Sequence, residues 1–125
     1  MTIYAYSDGG CRGRNSRNCQ TWGSFRVGDD PIVECDFGIG SNQTAEVNAL
    51  IACLEYIKEH RTQDIVVCID SQWTYNMMFG IWRIKDERLK LLIETAKYLL
   101  RSIYMETEIK LEWHPREDIV AVLGH

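Results

Sequence analysis

No stretch of this chain stays apolar for the roughly 18 residues that a membrane-spanning helix needs, and the opening Met1-Thr2-Ile3-Tyr4 lacks the basic start of a secretory signal. A soluble, cytoplasmic (intracellular) protein with no membrane association is the expectation. Repeats, linkers and low-complexity tracts are also missing. The 125 residues, 46% of them hydrophobic, suffice for one core and are too few for two, so residues 1–125 are read as a single domain. The five cysteines, Cys11, Cys19, Cys35, Cys53 and Cys68, are odd in number and show no C-x-x-C spacing. Reduced thiols are expected in preference to disulfides or zinc. Excess positive charge is lacking too: the net charge is −4, wrong for a surface that must meet phosphates, unless the acids are there to hold cations. Arg12, Arg14 and Arg17 do fall within one short segment, as a basic patch or simply as a solvated loop.

What the chain does have is Ile65-Val66-Val67-Cys68-Ile69, an unbroken apolar run that ends on Asp70. A strand without polar alternation is buried on both faces, the habit of a parallel strand covered by helices. Ligands of open α/β sheets bind beyond the carboxyl ends of such strands, so Asp70 is a site candidate. The alternative is that it only caps the next helix.

A first strand, Thr2 to Ser7, likewise finishes on Asp8-Gly9-Gly10, and the polar stretch from Cys11 to Gln20 is a loop. Thr21 to Val27 and Val33 to Ile39 alternate with period two, predicting half-buried antiparallel strands joined by a turn at Asp29-Asp30-Pro31. The period then changes. Val47, Leu50, Ile51, Leu54 and Ile57 predict an amphipathic helix from about Ala45, capped by Thr44 or Asn42, with Glu46 in its first turn. There the helix dipole alone favours an ionised carboxylate. Ser71 to Phe79 reads as a short helix ended by Gly80. Asp86 caps a long helix whose apolar face is Leu89, Leu92, Ile93, Ala96, Leu99, Leu100 and Ile103. Ile109, Leu111 and Trp113 form a last strand that Pro115 stops, and the remainder reads as a remnant tail. The order βββαβ(α)αβ predicts an α/β fold with a five-stranded mixed sheet, its first three strands antiparallel and the later ones parallel to the first. Strands ending at Asp8 and Asp70 side by side would set two like charges about 5 Å apart, a repulsion that a divalent ion removes. Glu46 could add a third oxygen, and few hard oxygen ligands describe a Mg²⁺ or Mn²⁺ site.

Tyr6-Ser7-Asp8-Gly9-Gly10-Cys11, Thr44-Ala45-Glu46-Val47-Asn48-Ala49-Leu50, Ile69-Asp70-Ser71-Gln72-Trp73 and Trp113-His114-Pro115-Arg116-Glu117 together resemble type 1 ribonuclease H in order, spacing and context. The resemblance covers essentially the whole chain. It implies a ribonuclease H-like fold with helices on the sheet faces, and an endonuclease that cuts the RNA strand of RNA/DNA hybrids to 5′-phosphate and 3′-hydroxyl ends. Asp8, Glu46 and Asp70 would bind two Mg²⁺ ions, with Mn²⁺ as a substitute. Positions matching the family's minor-groove contacts are Cys11, Arg14, Asn15, Asn42, Gln43 and Gln72, with turn or capping duty as the alternative for Asn42, Gln43 and Gln72, and a packed thiol for Cys11. The family's fourth carboxylate falls here on Leu123 or Val122, which bind no metal. His125 is the candidate substitute ligand, and Asp118 comes too early. The C-terminal helix is expected short or absent, and the Lys-rich handle of some relatives is missing, so weak, salt-dependent hybrid binding is expected. A monomer is expected, with a dimer lending its tail as the alternative. Trp22 and Trp113 are assigned to packing, and Trp73 and Trp82 to packing or base stacking. His60 and His114 are left as surface or strand-end residues, His114 with a second reading as a proton carrier. The competing functions are another nuclease on this fold, cutting double-stranded RNA or junctions, and a binding module that has lost turnover.

Overall fold

The computed structural model describes residues 2–12, 19–60, 63–80 and 83–124. Among them the chain runs β1 (Ile3–Arg12), β2 (Cys19–Val27), β3 (Val33–Gly40), α1 (Asn42–His60), β4 (Ile65–Ile69), α2 (Gln72–Met78), α3 (Glu87–Tyr104), β5 (Ile109–Trp113) and α4 (Arg116–Leu123). The strands make one sheet in the order β3-β2-β1-β4-β5. β1 and β2 pair antiparallel, as do β2 and β3, while β4 lies parallel to both β1 and β5. This is the mixed sheet expected, because a strand that returns through a helix crosses over to lie parallel.

The apolar run of β4 is buried throughout because helices cover both of its faces. Ile65, Val67 and Ile69 join Val47, Leu50, Leu54, Ile93, Ala96 and Ile103 in the main core under α1 and α3. Val66 and Cys68 point the other way, into a smaller cluster with Ile119 and Leu123 of α4. The segment read as a remnant tail is therefore a formed helix that closes the second face.

Helix starts follow local hydrogen bonding. Asp86 accepts from the Leu89 amide to open α3, whose buried residues Leu89, Ile93, Ala96, Leu99 and Ile103 keep helical spacing. At α1 the cap is Ser41, not Asn42 or Thr44. Its Oγ accepts from the Thr44 amide at 3.1 Å while Thr44 Oγ1 accepts from the Ser41 amide at 2.8 Å, a reciprocal capping box. The helix thus starts three residues earlier than expected, and Glu46 lies in its second turn.

Three other expectations change. In β3 the pairing steps from Thr21↔Gly38 to Trp22↔Asp36, leaving Phe37 as a bulge, and Gly38 takes φ +74°. One extra residue reverses the alternation, so Ile39 faces solvent at 56% exposure instead of the core. Trp113 is 46% exposed and is not a core residue. Cys11 and Cys19 form a disulfide with Cα atoms 5.7 Å apart, against the expectation of reduced thiols throughout. The continuing β1–β2 ladder, with Cys11 opposite Thr21, brings the two strand ends close, which spacing along the chain did not reveal. Cys35, Cys53 and Cys68 are free. Trp73 packs partly buried against the main core, Trp22 lies over Gly10, and Trp82 falls outside the described residues. No helix among the described residues is long and apolar enough to cross a membrane.

Gly9 lets α1 come down onto β1: a Cβ there would overlap the Ala45 carbonyl and approach the Glu46 amide to 2.8 Å. These are backbone atoms that no rotamer change can clear. Gly9→Ala is expected to destabilise the fold by about 2 kcal/mol, within the usual cost of overpacking, seen as a lower urea midpoint. An unchanged midpoint would mean that α1 is not held this closely.

Candidate active site

Asp8 does not end its strand. β1 runs on to Arg12 because β2 continues to pair with it as far as Arg12↔Gln20, whereas pairing with β4 stops at Tyr6↔Cys68. Asp8 therefore stands two residues beyond the last β1–β4 pair, where the two strands part. To one side of β1 the sheet goes on to β2 and β3, and to the other it goes on to β4 and β5. That reversal of strand order opens a crevice of the kind in which α/β sheets hold ligands.

Asp70 follows β4 directly into the same crevice. Ser71, rather than Asp70, caps α2, its side chain accepting from the Thr74 amide, so capping does not account for Asp70. The Asp70 backbone carbonyl accepts from the Trp113 indole at 3.1 Å, which ties the end of β4 to the exit of β5. Glu46 enters from α1. Carboxylate oxygens of Asp8, Glu46 and Asp70 all lie within 4.8 Å of one another, and a narrow cleft lined by these three with Ser7, Ile69, Ser71 and Thr74 surrounds them.

The electrostatics of this trio suit it to a cation. Glu46 sits beyond the first turn of α1, so the helix dipole is not the reason for it. Burial pushes its pKa from 4.5 up to about 7; the Ser71 hydroxyl opposes the rise, the Asp70 and Asp8 carboxylates add to it, and Arg116 opposes it. Arg116, the first residue of α4, reaches Asp70 Oδ2 at 3.7 Å with its own side chain 70% exposed. Ser7 Oγ is buried beside the trio without a hydrogen-bond partner. An all-oxygen donor set, one carboxyl driven toward its neutral form and one orphaned hydroxyl fit a hard divalent cation.

The other predicted positions are placed as follows. Asn42 and Gln43 are exposed in the first turn of α1 and Gln72 is exposed at the start of α2; Ser41 and Ser71 do the capping, so none of the three is needed for it. Cys11 is tied up in the disulfide. Arg14, Arg17, Asn15 and His125 lie outside the described residues. Leu123 is buried with Val66, Cys68 and Ile119, and Val122 packs against the same cluster, so α4 supplies no ligand there. Asp118 faces His114. Arg116 does not stand out as a site residue in the sequence, although it lies within the Pro115-Arg116-Glu117 segment that carries part of the resemblance. No periodicity shows that the first turn of α4 overhangs Asp70.

A family model described as "Reverse transcriptase-like" matches residues 37–122, which include Glu46 and Asp70 and leave Asp8 outside. A curated Ribonuclease HI from Halobacterium salinarum is 30% identical over 124 residues, covering 95% of this chain and 62% of that protein. The chain thus spans 62% of the length of that relative. The crystal structure of RNase H1 from the same halophilic archaeon superimposes with a TM-score of 0.77 at 26% identity, over 95% of this chain and 89% of that one. LC11-RNase H1, isolated from compost by a metagenomic approach and crystallised with an RNA/DNA hybrid, reaches a TM-score of 0.80 at 21% identity, over 95% of this chain and 89% of that one; at that identity it speaks for the fold alone.

The raised pKa of Glu46 has a measurable consequence in chelator. The folded protein keeps this proton up to about pH 7 while the unfolded chain releases it near 4.5. The contribution is therefore full below pH 4.5 and is lost as pH rises through about 7. Glu46→Gln is expected to flatten this loss and to be more stable than the parent at about pH 8, by about 2 kcal/mol. Urea midpoints that run parallel for the two proteins across the range would contradict the burial of the carboxylate.

Proposed function

We propose that this chain, which belongs to the ribonuclease HI family of reverse transcriptase-like domains, is a metal-dependent endonuclease that hydrolyses the RNA strand of RNA/DNA hybrids. The observation that carries this reading is the convergence of Asp8, Glu46 and Asp70, one oxygen from each within 4.8 Å of the others, in a chain of this family. Residues 1–125 are taken as one ribonuclease H-like domain, acting as a monomer inside the cell.

Asp8, Glu46 and Asp70 would hold two Mg²⁺ ions, with Mn²⁺ as a substitute. When bound, such ions supply an activated water and stabilise the leaving oxygen of in-line phosphodiester hydrolysis, leaving 5′-phosphate and 3′-hydroxyl ends. The protein's own part is positional. Asp8 and Asp70 are set by the parting of β1 and β4, and Glu46 by the close seat of α1 on Gly9. Asn42, Gln43 and Gln72 stand exposed at two helix starts, and their amide groups would suit the 2′-hydroxyls and base edges of a minor groove. Arg14 and Asn15 would add contacts from the segment between β1 and β2. Arg116, exposed and next to Asp70, is suited to meet a substrate phosphate.

One observation favours a second reading. With Leu123 buried where the family's fourth carboxylate is expected, the described residues offer no fourth ligand at that position, as in a binding module without turnover; His125, the candidate substitute, lies outside them.

Incubation with labelled RNA/DNA hybrid, double-stranded RNA and double-stranded DNA, in Mg²⁺, Mn²⁺ or EDTA, separates these readings. Cutting of the hybrid alone is expected, stopped by EDTA and reduced more than about 100-fold by Asp70→Asn, since losing even an outer partner of a metal ligand costs about 10–100-fold. Hybrid binding without cutting in either metal would favour the module, and preferential cutting of double-stranded RNA another nuclease. Binding should also weaken with salt, since each phosphate met by an arginine releases a counterion. A flat affinity from low to moderate salt would count against the proposed interface.

A further inference from the structure

The face of the sheet closed by α4 holds a second group of donors that differs in chemistry from the oxygen trio. Cys68 lies on β4 two residues before Asp70 and so points to the same side. Its thiol is fully buried, and its cross-strand neighbours are Tyr6 on β1 and Glu112 on β5. His114 leaves β5 with its backbone amide donating to the Ile69 carbonyl at 2.8 Å, which pins it against the end of β4. Cys68 Sγ, a Glu112 carboxylate oxygen and a His114 ring nitrogen all lie within 4.8 Å of one another.

We propose that Cys68, Glu112 and His114 form a second metal site, for one borderline-soft divalent cation of the zinc class. Three lines of chemistry support it. A thiolate, an imidazole and a carboxylate are the ligand types that Zn²⁺ takes, and three of them leave a fourth position open to water. The imidazole is already oriented for coordination, with Nε2 lying 3.0 Å from Glu112 Oε1, on the side of the cluster, while Nδ1 lies 3.3 Å from Asp118 Oδ2. In this structure Nε2–H faces the Glu112 carboxylate; a metal would replace that proton, releasing it to solvent, while Nδ1–H stays donated to Asp118, as such partners do around metal-binding histidines. Charge also balances, since one thiolate and one carboxylate cancel a divalent ion, with the thiol proton released to solvent on binding. Such an ion would link β4 to β5 and, through Asp118, to α4, holding the short last helix on the sheet.

Titration of the full chain with Co²⁺ in saturating Mg²⁺ tests the site, because a thiolate-to-cobalt charge-transfer band cannot come from the oxygen trio. The band is expected to saturate at one equivalent, to be displaced by one equivalent of Zn²⁺, and to vanish in Cys68→Ser. Asp118→Asn should weaken Co²⁺ binding about 10–100-fold, and His114→Ala more. These two positions are partly or fully exposed and carry the test if Cys68→Ser fails to fold. No band, a band that survives Cys68→Ser, or an affinity untouched by His114→Ala and Asp118→Asn would each overturn the proposal.

Discussion

Mutual repulsion among Asp8, Glu46 and Asp70, drawn together partly out of water, is the constraint around which this fold is arranged. Carboxylates so placed either surrender a proton's worth of charge or receive a cation. The raised pKa of Glu46 is the first response, and Arg116 at the rim of Asp70 is a weak form of the second. Neither completes the site. The core on both sides of β4 supplies the stability against which such a cluster is held, since functional sites store local cost that the surrounding structure offsets.

Each acid arrives by a different structural device. β1 serves two partners over different lengths, so Asp8 is anchored by β2 on one side and open on the other. β4 is short and buried on both faces, which delivers Asp70 at the place where β1 loses its second neighbour. Glu46 depends on how closely α1 can approach, and that distance is set by Gly9. Binding at strand ends is general to such sheets; what is particular here is that the β1–β4 opening is also tied to β5, through the Trp113 indole and the His114 amide.

Much of this was legible in the residues. The unbroken run at Ile65 to Ile69 announced a strand covered on two faces, the three-and-four spacing gave α1 and α3, and the two alternating stretches gave β2 and β3. The three acids followed from their order along that plan. What escaped depended on geometry that no linear pattern carries. The bulge at Phe37 reverses the face of Ile39, and period two cannot register one added residue. Ser41 and Thr44 satisfy each other's backbone, which moves the helix start without altering its apolar stripe. Asp8 reads as a strand end only until its other neighbour is known. The Cys11–Cys19 bridge and the salt bridge of Arg116 are contacts between segments, and composition argued against the first and was silent on the second. The last helix was expected short or absent; it is short, and Ile119 and Leu123 give α4 the two anchors it needs to cover Val66 and Cys68.

The cluster of Cys68, Glu112 and His114 shares no residue with the acidic trio, although Cys68 lies only two residues before Asp70 along the chain. We propose catalysis for the acidic trio alone, and manganese's anomalous scattering tests that most directly. Crystals grown with Mn²⁺ should give anomalous density enclosed by the carboxylates of Asp8, Glu46 and Asp70. Side chains that turn apart, or that stay together with no manganese among them, would contradict it.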